Sequence, residues 1–168
     1  MRKILLVIDM QNDFIDGSLG SPEANSIVQN VINKIKEYPP ENVFATKDTH
    51  EVNYLSTSEG RHLPVEHCIR GSEGWDIRPE IRSLIPPENV YEKGTFGSLA
   101  LAEKVAEMAR KEEISVEMVG LCTDICVVSN ALLIKAYLPE IPISVDSSCC
   151  AGVTPDKHNA ALETMRSC

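Results

Sequence analysis

No apolar run in this chain is long enough to cross a bilayer. Its opening, MRKILLVIDMQNDF, holds only about six apolar residues before Asp9, against the roughly 20 that a membrane-spanning helix needs. The same segment has no small-residue cleavage site, so it is read as a buried first strand rather than a secretory signal. A block of basic residues is also missing. Lys and Arg number 16 against 25 Asp and Glu, a net charge of -9 spread in a mixed pattern. That balance argues against nucleic acid or an anionic membrane as the main partner and leaves small neutral or cationic ligands open. Nor is there a disulfide framework. The six cysteines, at 68, 122, 126, 149, 150 and 168, follow no compact repeating spacing, so reduced thiols and a cytoplasmic location are expected. Internal repeats and low-complexity segments are absent, and 168 residues suit a single domain, 1–168, with its own hydrophobic core.

What is present alternates strands with helices. The spacing predicts strands at Lys3 to Asp9, Val43 to Thr46, Glu88 to Lys93, Ser115 to Gly120 and Ile141 to Asp146. Between them it predicts an amphipathic helix from Glu23 to Tyr38 stopped by Pro39-Pro40, a long helix from Gly97, another from Ile125 to Leu138, and a last one from Pro155. Alternation of this kind predicts an α/β fold: a three-layer α/β/α sandwich around a mainly parallel sheet of five or six strands, with right-handed connections. Residues 47–77 carry no sustained periodicity but hold three of the four histidines and Trp75. A loop this long in a compact domain is functional or disordered, and its composition favours function.

Parallel sheets place ligands at the carboxyl ends of their strands. Asp9 ends the first strand, Asp48 and His50 follow the second, Lys93 ends the third, and Cys126 follows the fourth, in VGLCTDICVV. Thr123 or Asp124 is placed to cap the next helix, which puts Cys126 in its opening turn, where dipole and free amides favour thiolate. A buried, inert cysteine is the competing reading of that turn. Asp9 could equally be a strand-end cap and Lys93 a solvated terminus. Together, however, they offer a carboxylate to take a thiol proton and an ammonium to hold both anions. In the loop, Asp48, His50, Glu59, His62, Glu66 and His67 could supply a nitrogen and oxygen shell for one divalent metal, zinc first, with manganese or iron as alternatives. Spacing does not decide between His62 and His67. Cys149-Cys150 and Cys68 are read as packing or ordinary loop thiols, and His158 as a surface residue.

The segments VIDMQNDF, KDTH with the later LPVEHC, YEKGTFGS and VGLCTDICV, in that order over almost the whole chain, resemble the isochorismatase-like cysteine hydrolases, in particular their nicotinamidase branch. The resemblance implies a triad of Asp9 as general base, Lys93, and Cys126 as nucleophile. It implies metal ligands Asp48, His50, His67 and Glu59, the last being histidine in some members. It also implies a cis peptide between Leu121 and Cys122 that aims the Cys122 and Cys126 amides at one oxyanion. Phe14 matches a ring-stacking surface, Leu63 stands where relatives often carry an aromatic residue, and Trp75 is a further pocket candidate. One residue is inserted between Pro64 and His67. The implied reaction is hydrolysis of a small amide, nicotinamide first. Rival readings are other amides or ureido compounds, and a silent binding or regulatory protein that kept the fold. A homo-oligomer is the family's prior.

Overall fold

The computed structural model describes all 168 residues. Five parallel strands form one sheet in the order β3-β2-β1-β4-β5. They are β1 (Arg2–Ile8), β2 (Val43–Asp48), β3 (Val90–Lys93), β4 (Ile114–Leu121) and β5 (Ile143–Ala151). The central strand explains why the sequence folds this way. Its run Ile4 to Ile8 is buried on both faces, as a parallel strand covered by helices must be. Leu5 and Val7 enter one core with Val31, Ile35 and Ile81, whereas Ile4, Leu6 and Ile8 enter the other with Leu101, Val105 and Ile134. Each such side chain contributes about 1.5–3 kcal/mol of burial.

One core lies under α1 (Asn12–Ile15), α2 (Pro22–Ser26), α3 (Val28–Ile35) and α5 (Pro79–Arg82), and the other under α6 (Leu99–Ala109) and α7 (Val128–Tyr137). The short α4 (Ser58–His62) sits within the loop after β2, and α8 (Pro155–Ser167) closes the chain. The three-layer expectation therefore holds, with five strands. Element limits shift by one to three residues in several places, and two differences are larger. The expected helix from Glu23 to Tyr38 is two pieces, broken at Ile27. Ala24, Ile27, Val31 and Ile35 are nevertheless all buried, so the apolar stripe runs through the break and conceals it. Strand β5 starts later and continues past Asp146 to Ala151, because a register shift lets Cys150 and Ala151 pair with Gly120 and Leu121. Neither Ser147-Ser148 nor the cysteines carry a strand pattern that could announce this.

Register brings the polar groups together. Asp48 pairs with Lys93 at the ends of β2 and β3, and Ile8 pairs with Gly120 in β1 and β4. Asp9 and the turn after β4 thus leave the sheet side by side.

Candidate active site

Three of these strand ends converge on one buried ammonium. Lys93 Nζ lies 2.7 Å from Asp9 Oδ2, 3.2 Å from Asp48 Oδ1 and 3.4 Å from Cys126 Sγ. Asp9 itself is fully buried, with Oδ1 accepting from Thr46 Oγ1 at 2.6 Å. Oδ2 has the ion pair but no directed hydrogen bond, so a lone pair remains available for a proton. Asp9 also has φ +45°, a left-handed conformation that is costly for a residue with a side chain and common at functional positions.

Burial and neighbouring charge pull the three groups in opposing directions. Burial drives the Asp9 carboxyl above its ordinary range, and Lys93 only partly offsets this. Burial also pushes the Cys126 thiol well up, and the Asp9 charge adds to the effect. Burial opposes the Lys93 charge, yet Asp9, Cys126 and Asp48 outweigh it and keep the amine protonated. The directions are those of a thiol that resists ionisation, a carboxyl that holds a proton more readily than a free one, and an ammonium that its neighbours preserve. Burial thus opposes the thiolate that the helix terminus was expected to favour.

The turn itself also differs from a capped α-helix. Thr123–Val127 forms a π-helical turn with no side-chain cap, as such turns do at functional sites. Thr123 and Asp124, expected as caps, instead bond to His158 Nδ1 at 2.8 Å and to the Val153 N–H at 2.9 Å. The Leu121-Cys122 peptide is cis, in agreement with the resemblance. The Cys122 N–H has no backbone acceptor, while the carbonyl of Cys122 accepts from both Ile125 and Val127 at 3.1 Å.

A second cluster adjoins the first. One ligand atom each from Asp48, His50, Glu59 and His67 falls within 4.8 Å of the others. His67 Nδ1 must donate to the Val65 carbonyl, 2.8 Å away, because a carbonyl only accepts. In the neutral imidazole, the form that can ligate, Nε2 is then a lone pair facing Asp48 Oδ2 at 3.6 Å and Glu59 Oε1 at 3.8 Å. Lone pairs aimed at carboxylate oxygens repel unless a cation lies between them, and fixing the far ring nitrogen is how proteins orient metal-binding histidines. The donor set suits a divalent ion. Of the two histidines that spacing left open, His67 falls within this cluster and His62 outside it.

Both clusters open into one cavity of about 530 Å³, lined among others by Phe14, Leu63, Phe96, Cys122, Ile125 and Cys126. Phe14 packs against His67 with ring centroids 5.5 Å apart. Trp75 does not line this cavity, which corrects its reading as a pocket residue. Its indole N–H donates to Thr49 Oγ1 at 2.9 Å, and Lys47 Nζ lies 3.0 Å from the ring centroid. Side chains alternate along β2, so the face that carries Lys47 and Trp75 is opposite the one that carries Asp48.

An isochorismatase domain profile matches residues 3–168. The chain belongs to the isochorismatase family. An isochorismatase family protein of Bacillus subtilis is 29% identical over 173 residues, covering 96% of this chain and 93% of that protein. The nicotinamidase/pyrazinamidase of Mycobacterium tuberculosis is 28% identical over 180 residues, covering 98% and 94%. The solved structure of the Pyrococcus horikoshii pyrazinamidase in complex with zinc superimposes with a TM-score of 0.77 at 25% identity, covering 99% of this chain and 96% of that one.

This isochorismatase-family chain also uses residues that the sequence did not single out. Gln11, fully buried, accepts from the Asp48 N–H at 2.7 Å and donates to the carbonyls of Asp48 and Trp75, each at 2.8 Å. It staples the ligand loop to β1. Tyr54 lies 4.6 and 4.9 Å from the His50 and His67 rings and donates to the Leu63 carbonyl at 2.9 Å. Asn130 donates to the Cys126 carbonyl at 2.8 Å and accepts from the Ser98 N–H at 2.9 Å, tying the turn that carries Cys126 to the loop after Lys93. A polar amide within an apolar run was the available signal for Asn130, whereas Gln11, among Asp9, Asn12 and Asp13, gave none. Cys149 and Cys150 are buried in opposite cores, and Cys68 is buried outside the metal cluster. His158, expected at the surface, is half-buried against Thr123.

Proposed function

We propose that this protein is a metal-dependent cysteine amidohydrolase that converts a small carboxamide, nicotinamide first, to the carboxylic acid and ammonia. The observation that carries the reading is Lys93 Nζ, between Asp9 Oδ2 at 2.7 Å and Cys126 Sγ at 3.4 Å, where Cys126 lines the same cavity as Asp48, Glu59 and His67 of the neighbouring cluster. In this reading Asp9 removes the Cys126 proton as Sγ attacks the amide carbon. A carboxyl raised by burial is a stronger base than a free one, and proton removal concerted with attack avoids a free buried thiolate. The Cys122 and Cys126 amides receive the developing oxyanion. Asp9 then gives its proton to the departing nitrogen, the C–N bond breaks, and a thioester remains. Asp9 next takes a proton from water, whose oxygen adds to the carbonyl. Collapse frees the acid, and the thiol is restored.

Asp48, His50, Glu59 and His67 would hold a divalent ion, zinc first, with manganese or iron as alternatives; once bound, it supplies a Lewis acid for a ring nitrogen of the substrate. Phe14 and Leu63 would flank that ring. Removing the metal with a chelator is expected to raise KM for nicotinamide at least about tenfold, the loss of roughly 1.4 kcal/mol of binding. The rate of Cys126 alkylation by iodoacetamide without substrate is expected to stay nearly constant. Abolished alkylation would contradict this division of labour.

The cavity, at about 530 Å³, has room for more than one six-membered ring, and this favours a larger amide or ureido compound as the second reading. The buried thiols Cys68, Cys126, Cys149 and Cys150 suit a reducing compartment such as the cytoplasm, where the reaction would serve pyridine nucleotide salvage. No helix is long and apolar enough to cross a membrane. The exposed Leu132 and Tyr137 on α7 suit contact with a second copy. Ammonia release from nicotinamide by metal-replete, reduced protein tests the central reading, beside Cys126→Ala. Release that vanishes in the variant is expected; release that persists would overturn it.

A further inference from the structure

The proposed chemistry leaves unused an imidazole that touches the nucleophile turn. His158 Nδ1, on α8, lies 2.8 Å from Thr123 Oγ1. Thr123 is fully buried, and its hydroxyl has no other hydrogen-bond partner. The hydroxyl therefore donates and the imidazole accepts, since the reverse would leave a buried O–H unsatisfied. A parallel tie is made one residue on, where Asp124 Oδ1 accepts from the Val153 N–H at 2.9 Å.

The chain is shaped to admit both ties. A Cβ on Gly152 would stand 2.7 Å from the His158 backbone nitrogen and 2.9 Å from Asp124 Oδ1, closer than packed atoms allow. Only glycine lets the end of β5 pass between α8 and the turn. Thr123 and Asp124 lie between Cys122 and Cys126, so the two contacts grip the segment that sets the separation of the proposed oxyanion amides. No side chain caps this π-helical turn from within. Its side-chain restraint comes from Asn130 on one side, through the Cys126 carbonyl, and from α8 on the other.

We propose that His158 is a positioning residue for the nucleophile turn, acting through the Thr123 hydroxyl. The inference rests on the reading of Cys126 as nucleophile. His158 does not line the cavity, so its loss would act on the chemical step and leave the cavity walls Phe14, Leu63 and Phe96 in place.

Four variants test it in the metal-loaded protein: His158→Ala, His158→Asn, Thr123→Val, and His158→Ala combined with Thr123→Val. Removing one oxyanion donor costs about 100- to 1000-fold, so loosening both without removing either is expected to lower kcat for nicotinamide by about 10- to 100-fold. KM should stay within about twofold, since ground-state binding is untouched. His158→Asn, whose amide oxygen can replace the acceptor, should recover most of kcat. The double variant should be no worse than either single one, because both changes break one contact. Cys126 alkylation by iodoacetamide should slow in His158→Ala and recover in His158→Asn. Unchanged kcat in His158→Ala, or losses in kcat and KM together that follow thermal stability and are not rescued by Asn, would overturn the proposal. Absence of ammonia release by the wild-type protein would instead remove nicotinamide as substrate, and the alkylation series alone would then decide the positioning role.

Discussion

Replacing Lys93 with Met is expected to lower kcat/KM for nicotinamide about 100- to 10,000-fold, the span associated with loss of a positioned acid–base partnership. The ammonium is the single cation shared by Asp9, Asp48 and Cys126. Without it, burial acts on Asp9 almost unopposed. Asp9 is already raised above the ordinary carboxylate range with Lys93 present, burial being the larger cause and Lys93 the main opposing one. The working form of this base is ionised, so activity falls as pH drops through its raised value. The wild-type acid limb should accordingly lie above about 4, and in Lys93→Met it should move to still higher pH. Profiles of kcat/KM against pH for both proteins check this. An unshifted limb in the variant would mean that Lys93 does not govern the base.

Gly120→Ala is expected to be the most destabilising single methyl addition near the site. Gly120 has φ +121°, and a Cβ there would lie 2.1 Å from the Ile8 carbonyl oxygen. Ile8 is its partner in register, in the central strand and directly before Asp9. Strain and collision therefore act together, and neither backbone can yield without parting β1 from β4. A loss of at least about 3 kcal/mol is expected, which for a chain of this size lowers the melting temperature by about 6–12 °C. Residual activity should fall more than stability alone explains, because Asp9 and Cys122 leave the sheet on either side of this contact. A thermal unfolding curve unchanged from wild type would contradict the packing described for these strands.

How far the sequence led depended on what each residue leaves in its pattern. The strand ends were legible because a parallel strand must be apolar throughout, so a charged residue after such a run marks where the chain leaves the core. Asp9, Lys93 and Cys126 could be gathered on one edge in this way before any resemblance was used. The metal loop was less legible. Its polar groups have no period, and Glu59 and His67 were assigned only through the family. The break at Ile27 left no mark, because the buried stripe continues across it. Trp75 misled because an aromatic residue in a functional loop suggests a ring-binding wall, whereas the alternation of Lys47 and Asp48 along β2 sends it to the other face. His158 misled in the opposite sense. Nothing in the α8 pattern tells that this helix reaches back 35 residues to Thr123, since that contact depends on the space left by Gly152.

The central claim is that Cys126 carries the acyl group, and the most direct measurement is mass spectrometry of the intact protein quenched during turnover with nicotinamide, followed by peptide mapping. The account predicts an adduct of nicotinoyl mass on the peptide containing Cys126, released by hydroxylamine and absent in Cys126→Ala. Steady turnover with no adduct on that peptide under quenching fast enough to trap a thioester, together with activity surviving in Cys126→Ala, would contradict it.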